Sequence, residues 1–267
     1  SDAGASSGTA SSDADSITKE TVSLDKSWKY AEESKINTGK AVLYHAKPSK
    51  AKGKTVCINA GHGTKGGSSV KTKCHPDGTP KVTGGTTASG ETEAVAVSSG
   101  VDMADGTPEA AATLSLAKLT RNALLKAGYD VLMIREKDDV QLDNIARTVL
   151  ANNLADCHIA LHYDYTDTDK GAYFMSVPDV ESYRNMEPVK SHWEEHMALG
   201  RAVVSALKDA GFKLFEGGEL EMDLTQTSYS TVPSIDLEVG DKVSDISEEN
   251  QAKIAKGIVA GLDKFFE

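Results

Sequence analysis

Aromatic side chains are scarce in this sequence, at 6% of its 267 residues, so a core has to rest on aliphatic packing. The hydrophobic fraction of 39% is sufficient for that, and the length suits one substantial domain with appendages. Long apolar runs are missing: no stretch approaches the ~18–20 residues that a helix needs to cross a bilayer. Basic clusters are missing too. With 29 Lys and Arg against 40 Asp and Glu, the net charge is -11, and a phosphate-backbone partner needs a concentrated basic surface. Nucleic acid is therefore excluded as a partner. Cysteine is limited to Cys57, Cys74 and Cys157 with no CxxC pair, which excludes a zinc knuckle and a dithiol redox motif. Cys57 and Cys157 lie in apolar strand-like runs and read as small buried hydrophobes, with a Cys57–Cys74 bridge left open. The glycines form neither GxGxxG nor a P-loop.

What is present falls into three parts. Residues 1–17 are almost entirely Ser, Ala, Gly, Asp and Thr, a composition that buries too little apolar area to fold and reads as a flexible tether. A removed signal peptide or lipid anchor ahead of it is the natural expectation. Residues 18–54 form a polar extension, with Trp28, Tyr30 and the run Ala41-Val42-Leu43-Tyr44, expected to pack on the main domain with one strand. Residues 55–267 form that main domain.

Within it, Thr55 to Ala60 is a β-branched, apolar run ended by Gly61, which predicts a buried strand. The Gly, Ser and Thr-rich stretch from Gly63 to Thr107 reads as an irregular insertion outside the core. Thr107-Pro108-Glu109 then predicts a helix start, with threonine as N-cap, proline in the first turn and an acid near the positive dipole end. Leu114, Ala117, Arg121 and Leu124 continue one face up to Gly128. Strands follow at Tyr129–Ile134, Cys157–His162, Ala172–Val177 and Ile235–Glu238, and helices at Leu142–Asn153, Ser191–Ala210 and Glu248–Phe266. This alternation predicts a single α/β domain with a mostly parallel twisted sheet flanked by helices, and ligands bind such sheets at the carboxyl ends of the strands.

His62 lies just beyond the first strand, His162 and Glu238 close two others, and Glu109 opens a helix on the same side. Each has a plainer explanation alone: a satisfied surface histidine, a helix-dipole acid, a strand-end ion pair. Together, two histidines and one carboxylate leave a fourth tetrahedral position open for water, the pattern of catalytic zinc. A further carboxylate beside them can take the proton of that water.

In order along the chain stand Gly61-His62-Gly63 after a strand, Glu109 opening a helix, and Ile134-Arg135 with Asp138 and Asp139. Arg147, Ala151 and Asn152 follow, then Ala155-Asp156 leading to His162, and Pro233, Glu238 and Gly240. From Thr55 to Phe266 the chain resembles the zinc-dependent N-acetylmuramoyl-L-alanine amidases, bacterial enzymes that separate peptide stems from the glycan strands of peptidoglycan. The resemblance implies a phosphorylase/hydrolase-like α/β fold and a zinc ion held by His62, Glu109 and His162. It further implies Glu238 as the base, peptidoglycan or its muropeptides as substrate, a monomer, and secretion to the cell envelope.

The chain also departs from the family pattern. Around His162 it reads Ala160-Leu161-His162-Tyr163-Asp164-Tyr165 instead of Ser-Ile-His-Ala-Asn-Ala. After Glu238 it has Gly240-Asp241 with Asp245 in place of Gly-Phe and a nearby Asn. Asp236 stands where an apolar strand residue is usual, and the segment between the first two ligands is long, so Glu91 and Glu93 are alternative second ligands. Three competing readings follow: a zinc carboxypeptidase or endopeptidase of wall peptides, a wall-binding domain without turnover, and an inverted zinc peptidase carrying His192-Trp193-Glu194-Glu195-His196. The last motif, lacking the rest of its pattern, reads better as a solvated helix flank, and His75 as an ordinary loop residue.

Overall fold

The computed structural model describes residues 14–267. The tether expected over 1–17 falls outside them as far as residue 13; Asp15 is anchored, its carboxylate accepting from the Ser49 N–H at 2.9 Å and the Ser49 hydroxyl at 2.6 Å. Ten strands and six helices follow: β1 (Thr18–Ser23), β2 (Lys40–His45), β3 (Thr55–Ala60), β4 (Lys71–Lys73), β5 (Glu93–Val95), α1 (Glu109–Ala127), β6 (Asp130–Met133), α2 (Asn144–Leu154), β7 (Cys157–Asp164), β8 (Ala172–Ser176), α3 (Glu181–Arg184), α4 (Val189–Asp209), β9 (Leu214–Glu221), α5 (Thr225–Tyr229), β10 (Ser234–Asp241) and α6 (Glu248–Phe266).

Eight strands make one sheet in the order β1-β2-β6-β3-β7-β10-β8-β9. Its centre, β6-β3-β7-β10, is parallel throughout. The flanks are mixed: β1 and β2 run antiparallel to their neighbours, and β8 is antiparallel to β10 but parallel to β9. The sheet is thus mixed at its flanks, with four of its seven strand pairings parallel, in keeping with the mostly parallel sheet the sequence predicts. Residues 18–54 supply two strands, not one, and both are part of the sheet itself. Strand β9 escapes the sequence reading because Gly217 and Gly218 sit in its middle at positive φ, which breaks the β-propensity signal.

Side chains alternate across a strand, and here the two faces differ in kind. One face, with Val56, Ile58, Ile159, Leu161, Ile235 and Leu237, packs on α1, α4 and α6 in the main aliphatic core. The opposite face of the same central strands carries Asn59, His158, His162, Ser234, Asp236 and Glu238, placed in lateral rows by the register. Each row is one residue deep across β3, β7 and β10.

The helices start for local reasons. Asp143 caps α2 by accepting from the Ala146 N–H at 2.8 Å, and Ser247 caps α6 through the Asn250 N–H. Helix α1 differs from the sequence expectation, since Pro108 takes the cap position without a side-chain bond. Thr107 instead folds back, its N–H donating to Asp105 at 2.9 Å. Arg121 leaves the apolar face of α1 for an ion pair with Glu136 at 2.8 Å. Cys57, Cys74 and Cys157 are all free and buried, so the Cys57–Cys74 bridge is not formed.

Residues 63–107 are more structured than their composition suggests. They hold the hairpin β4–β5 and bury Ala96, Val97 and Met103. A buried polar knot ties them to the strand-end segment after β9. Asp223 accepts from His75 Nε2 at 2.8 Å, Lys81 Nζ at 3.1 Å, and the Val82 and Thr83 N–H groups. His75, read as an ordinary loop residue, is therefore buried and structural. Asp223 has its carboxyl held well below the usual carboxylate range, because these donors outweigh the opposing effect of burial.

Candidate active site

Four backbone positions converge at the carboxyl ends of β3, β7 and β10, as the rule for open α/β sheets requires. His62 follows β3 in the left-handed conformation, φ 65°, which is rare and costly for a side chain other than glycine. Two buried guanidinium groups hold this turn. Arg147 donates to the His62 carbonyl at 2.8 Å and to the Ala60 carbonyl at 3.1 Å. Arg135 donates to the Gly61 carbonyl at 3.1 Å and, in the first turn of α1, to the Ala110 carbonyl at 2.8 Å. Burial pushes Arg147 down to about 9 and Arg135 to about 10, so both remain cations at neutral pH. Their function is to fix a loop, a role the sequence could not disclose.

Glycines make room for the rings. A β-carbon on Gly61 would stand 2.3 Å from His162 Cε1, and one on Gly100 would stand 2.8 Å from His62 Cδ2 and 2.9 Å from Glu109 Oε2. Neither position tolerates a side chain without displacing a functional group.

The convergence is tight. His62 Nε2 lies 2.9 Å from Glu109 Oε1, His162 Nδ1 lies 3.2 Å from the same oxygen, and the two nitrogens are 3.1 Å apart. This near-equilateral triangle is close to the face of a tetrahedron whose bonds are about 2.0–2.1 Å, for which the edge is roughly 3.3 Å. Among the described residues, these three form the group of His, Cys, Asp and Glu side chains able to hold a metal ion together. Glu91 and Glu93 are not part of it; Glu93 is exposed and 3.5 Å from Lys35. His192 and His196 do not pair on a metal either. His192 is near Glu195 on the surface, whereas His196 is buried and accepts the Ser234 N–H at 3.0 Å, so that motif is only half solvated.

Each ligand candidate is oriented from behind. His62 Nδ1 donates to the Ser98 carbonyl at 2.8 Å, which keeps the proton off Nε2. Glu109 accepts from the Val101 N–H and from the Tyr163 N–H, both at 3.1 Å. Burial works to raise the Glu109 carboxyl, but the close imidazoles of His162 and His62 outweigh it and hold it well below the usual range. Burial likewise works to lower His162, yet Asp236, Glu109 and Glu238 together push it up to about 10. Such an excess of negative charge around two imidazoles is the electrostatic signature of a site built for a cation.

Glu238 is beside this triangle, paired in register with His162 on the adjacent strand. It is 7% exposed and its Oε2 has no hydrogen-bond partner among the described residues. Burial, followed by the nearby Asp236 carboxylate, raises its pKa well above the ordinary value. All four side chains line one cavity of about 470 Å³, walled also by Tyr165, Met175, Met222 and the 85–87 segment of the insertion.

The model of the N-acetylmuramoyl-L-alanine amidase family matches residues 56–264. The chain belongs to that family. The amidase shares its fold with solved relatives at low identity. The N-acetylmuramyl-L-alanine amidase of Mycobacterium abscessus superposes with a TM-score of 0.63 at 21% identity, covering 80% of this chain and 99% of that one. Its counterpart from Mycobacterium smegmatis gives 0.64 at 20%, covering 81% and 97%. The amidase of Clostridium difficile 630 gives 0.57 at 20%, with the same coverages. Among curated proteins none matches. The enzyme is thus a cell-wall amidase with peptidoglycan as its substrate class. No helix among the described residues is long and apolar enough to cross a membrane.

Proposed function

We propose that this amidase is zinc-dependent and hydrolyses the amide between the lactyl group of N-acetylmuramic acid and the first L-alanine of the stem peptide. The observation that carries the reading is the triangle of His62 Nε2, Glu109 Oε1 and His162 Nδ1 with Glu238 alongside in an open cavity. The donor set fits zinc: two imidazole nitrogens and one carboxylate oxygen, at tetrahedral spacing, with room on the cavity side. When bound, zinc supplies a Lewis acid for the scissile carbonyl and lowers the pKa of water toward neutrality.

The residues of the chain do the rest. His62, Glu109 and His162 act as ligands. Glu238, made more basic by burial, accepts a proton from the attacking water and delivers it to the leaving L-alanine nitrogen. The C–N bond breaks as the new C–O bond is completed, leaving a free lactyl carboxylate and a free amine. Tyr165, 69% exposed at the cavity rim, offers a ring to the substrate. We further infer action in the cell envelope by a monomer. In support, only Ile17, Tyr165 and Val243 are exposed large hydrophobics among the described residues, too few for a large apolar association patch.

Metal analysis of the purified chain, run beside digestion of muropeptides with identification of the new termini, tests this function. Stoichiometric zinc and new L-alanine amino termini are expected. Release of D-alanine alone would mean a carboxypeptidase, and a metal-free, inactive protein would mean a binding domain.

A further inference from the structure

Asp236 is partly buried, its side chain 14% exposed, in the polar face of the sheet two residues before Glu238. Burying a carboxylate is costly unless it is paired. Among the described residues its Oδ1 has no hydrogen-bond partner, and its one ion-pair contact is from Oδ2 to His162 Nε2, at 3.5 Å. It caps no helix. The strand register explains how it reaches the ring. Asp236 is opposite Ala160 and Glu238 is opposite His162, so Asp236 and His162 are diagonal neighbours, and the small Ala160 side chain leaves the space between them open.

The two nitrogens of His162 therefore face different groups. Nδ1 points to His62 and Glu109, and Nε2 to Asp236. His62 has the same division, with Nε2 toward the triangle and Nδ1 on the Ser98 carbonyl. Each imidazole thus has an outer acceptor, a neutral carbonyl for one and a carboxylate for the other. At 3.5 Å the contact is longer than a formed hydrogen bond. Among the described residues no competing donor holds either carboxylate oxygen, so a small rotation closes it.

We propose that Asp236 is a positioning residue for His162. It accepts a hydrogen bond from Nε2–H, holds the ring with Nδ1 bare and aimed at the triangle, and so tightens the grip of the site on a divalent cation. This rests on the metal reading above. Outer carboxylates of this kind orient and strengthen histidine ligands, and removing one typically weakens metal binding 10- to 100-fold.

The test measures zinc affinity of the metal-stripped full chain by chelator competition, for wild type, Asp236→Asn and Asp236→Leu, each checked for fold by circular dichroism. The leucine variant is expected to bind zinc 10- to 100-fold more weakly. The asparagine variant, which keeps an oxygen acceptor for Nε2–H, should recover part of that loss and serves alone if the leucine variant does not fold. Nitrogen-15 spectra of zinc-loaded wild type should show the His162 proton on Nε2, exchanging faster with solvent once Asp236 is replaced. Folded variants that hold zinc as tightly as wild type would overturn the role of Asp236 alone. A wild-type chain that binds no zinc would overturn the metal reading, and this proposal with it.

Discussion

His162 and Glu238 are register partners on adjacent parallel strands, β7 and β10, and the pairing slips immediately beyond them, between Glu238 and Asp241. The proposed ligand and the proposed base are thus set side by side by main-chain hydrogen bonds, before any side chain chooses a rotamer. The register shift comes directly after two residues that line the cavity, a place where bulges commonly re-aim side chains.

This arrangement separates two functions that substitution can tell apart. Glu238→Ala should keep its zinc and lose hydrolysis by a factor of about 10² or more, the usual scale for a removed general base. His162→Ala should lose the zinc itself. Metal content and muropeptide turnover, measured on both variants, check the pair; an active Glu238→Ala protein would show the base to be another group.

Gly61→Ala should act as a ligand mutation although it replaces no ligand. The added methyl would lie 2.3 Å from the His162 ring, and the ring is easier to displace than strand β3. Zinc affinity is expected to fall at least tenfold with a much smaller effect on unfolding, and chelator competition beside thermal melts distinguishes the two.

Asp223→Ala should release the insertion. It leaves His75 and Lys81 buried without their shared acceptor, a loss of the order of 3–5 kcal/mol when one member of a buried ionic cluster is removed. Because Lys81, Met222 and the 85–87 segment also wall the cavity, KM should rise more than kcat falls in whatever fraction remains folded. Urea titration and steady-state kinetics give the two readouts.

Acid should destabilise the chain through two histidines outside the chemistry. Burial holds His158 and His196 to about 3, against an ordinary value of 6.5. Below 6.5 the unfolded chain takes up protons that the folded chain refuses, so their contribution is full above that pH and is lost as the pH falls toward 3. Each contributes a slope of up to ~1.4 kcal/mol per pH unit. Stability measured between pH 7 and 4 should fall accordingly, and His196→Asn, which retains an acceptor near Ser234, should flatten the fall.

Much of this architecture was legible in the sequence because it is local. Apolar runs ending in Gly61-His62 and Leu161-His162 announce strands and what lies at their ends, and Glu109 follows a proline that starts a helix. What was not legible depends on contacts distant along the chain. The Ser98 carbonyl reaches His62 across 36 residues, and Asp223 reaches His75 across 148. Neither has a spacing signal, since any loop has carbonyls and any acidic sequence has aspartates. Asp236 was visible as an oddity, an acid in an apolar strand, but only the register against Ala160 shows which ring it faces.

The unlike faces of the central sheet bear on how this scaffold tolerates change. Toward α1, α4 and α6 the constraint is volume, which several combinations of Val, Ile and Leu satisfy equally well. Toward α2 the constraint is valence: Arg147 donates to Asn59 Oδ1 at 2.9 Å and the Asn59 amide faces His158 Nε2 at 3.2 Å, so a new residue strands its former neighbour. Laboratory evolution of this fold should therefore collect neutral substitutions behind the sheet and compensated pairs in front of it.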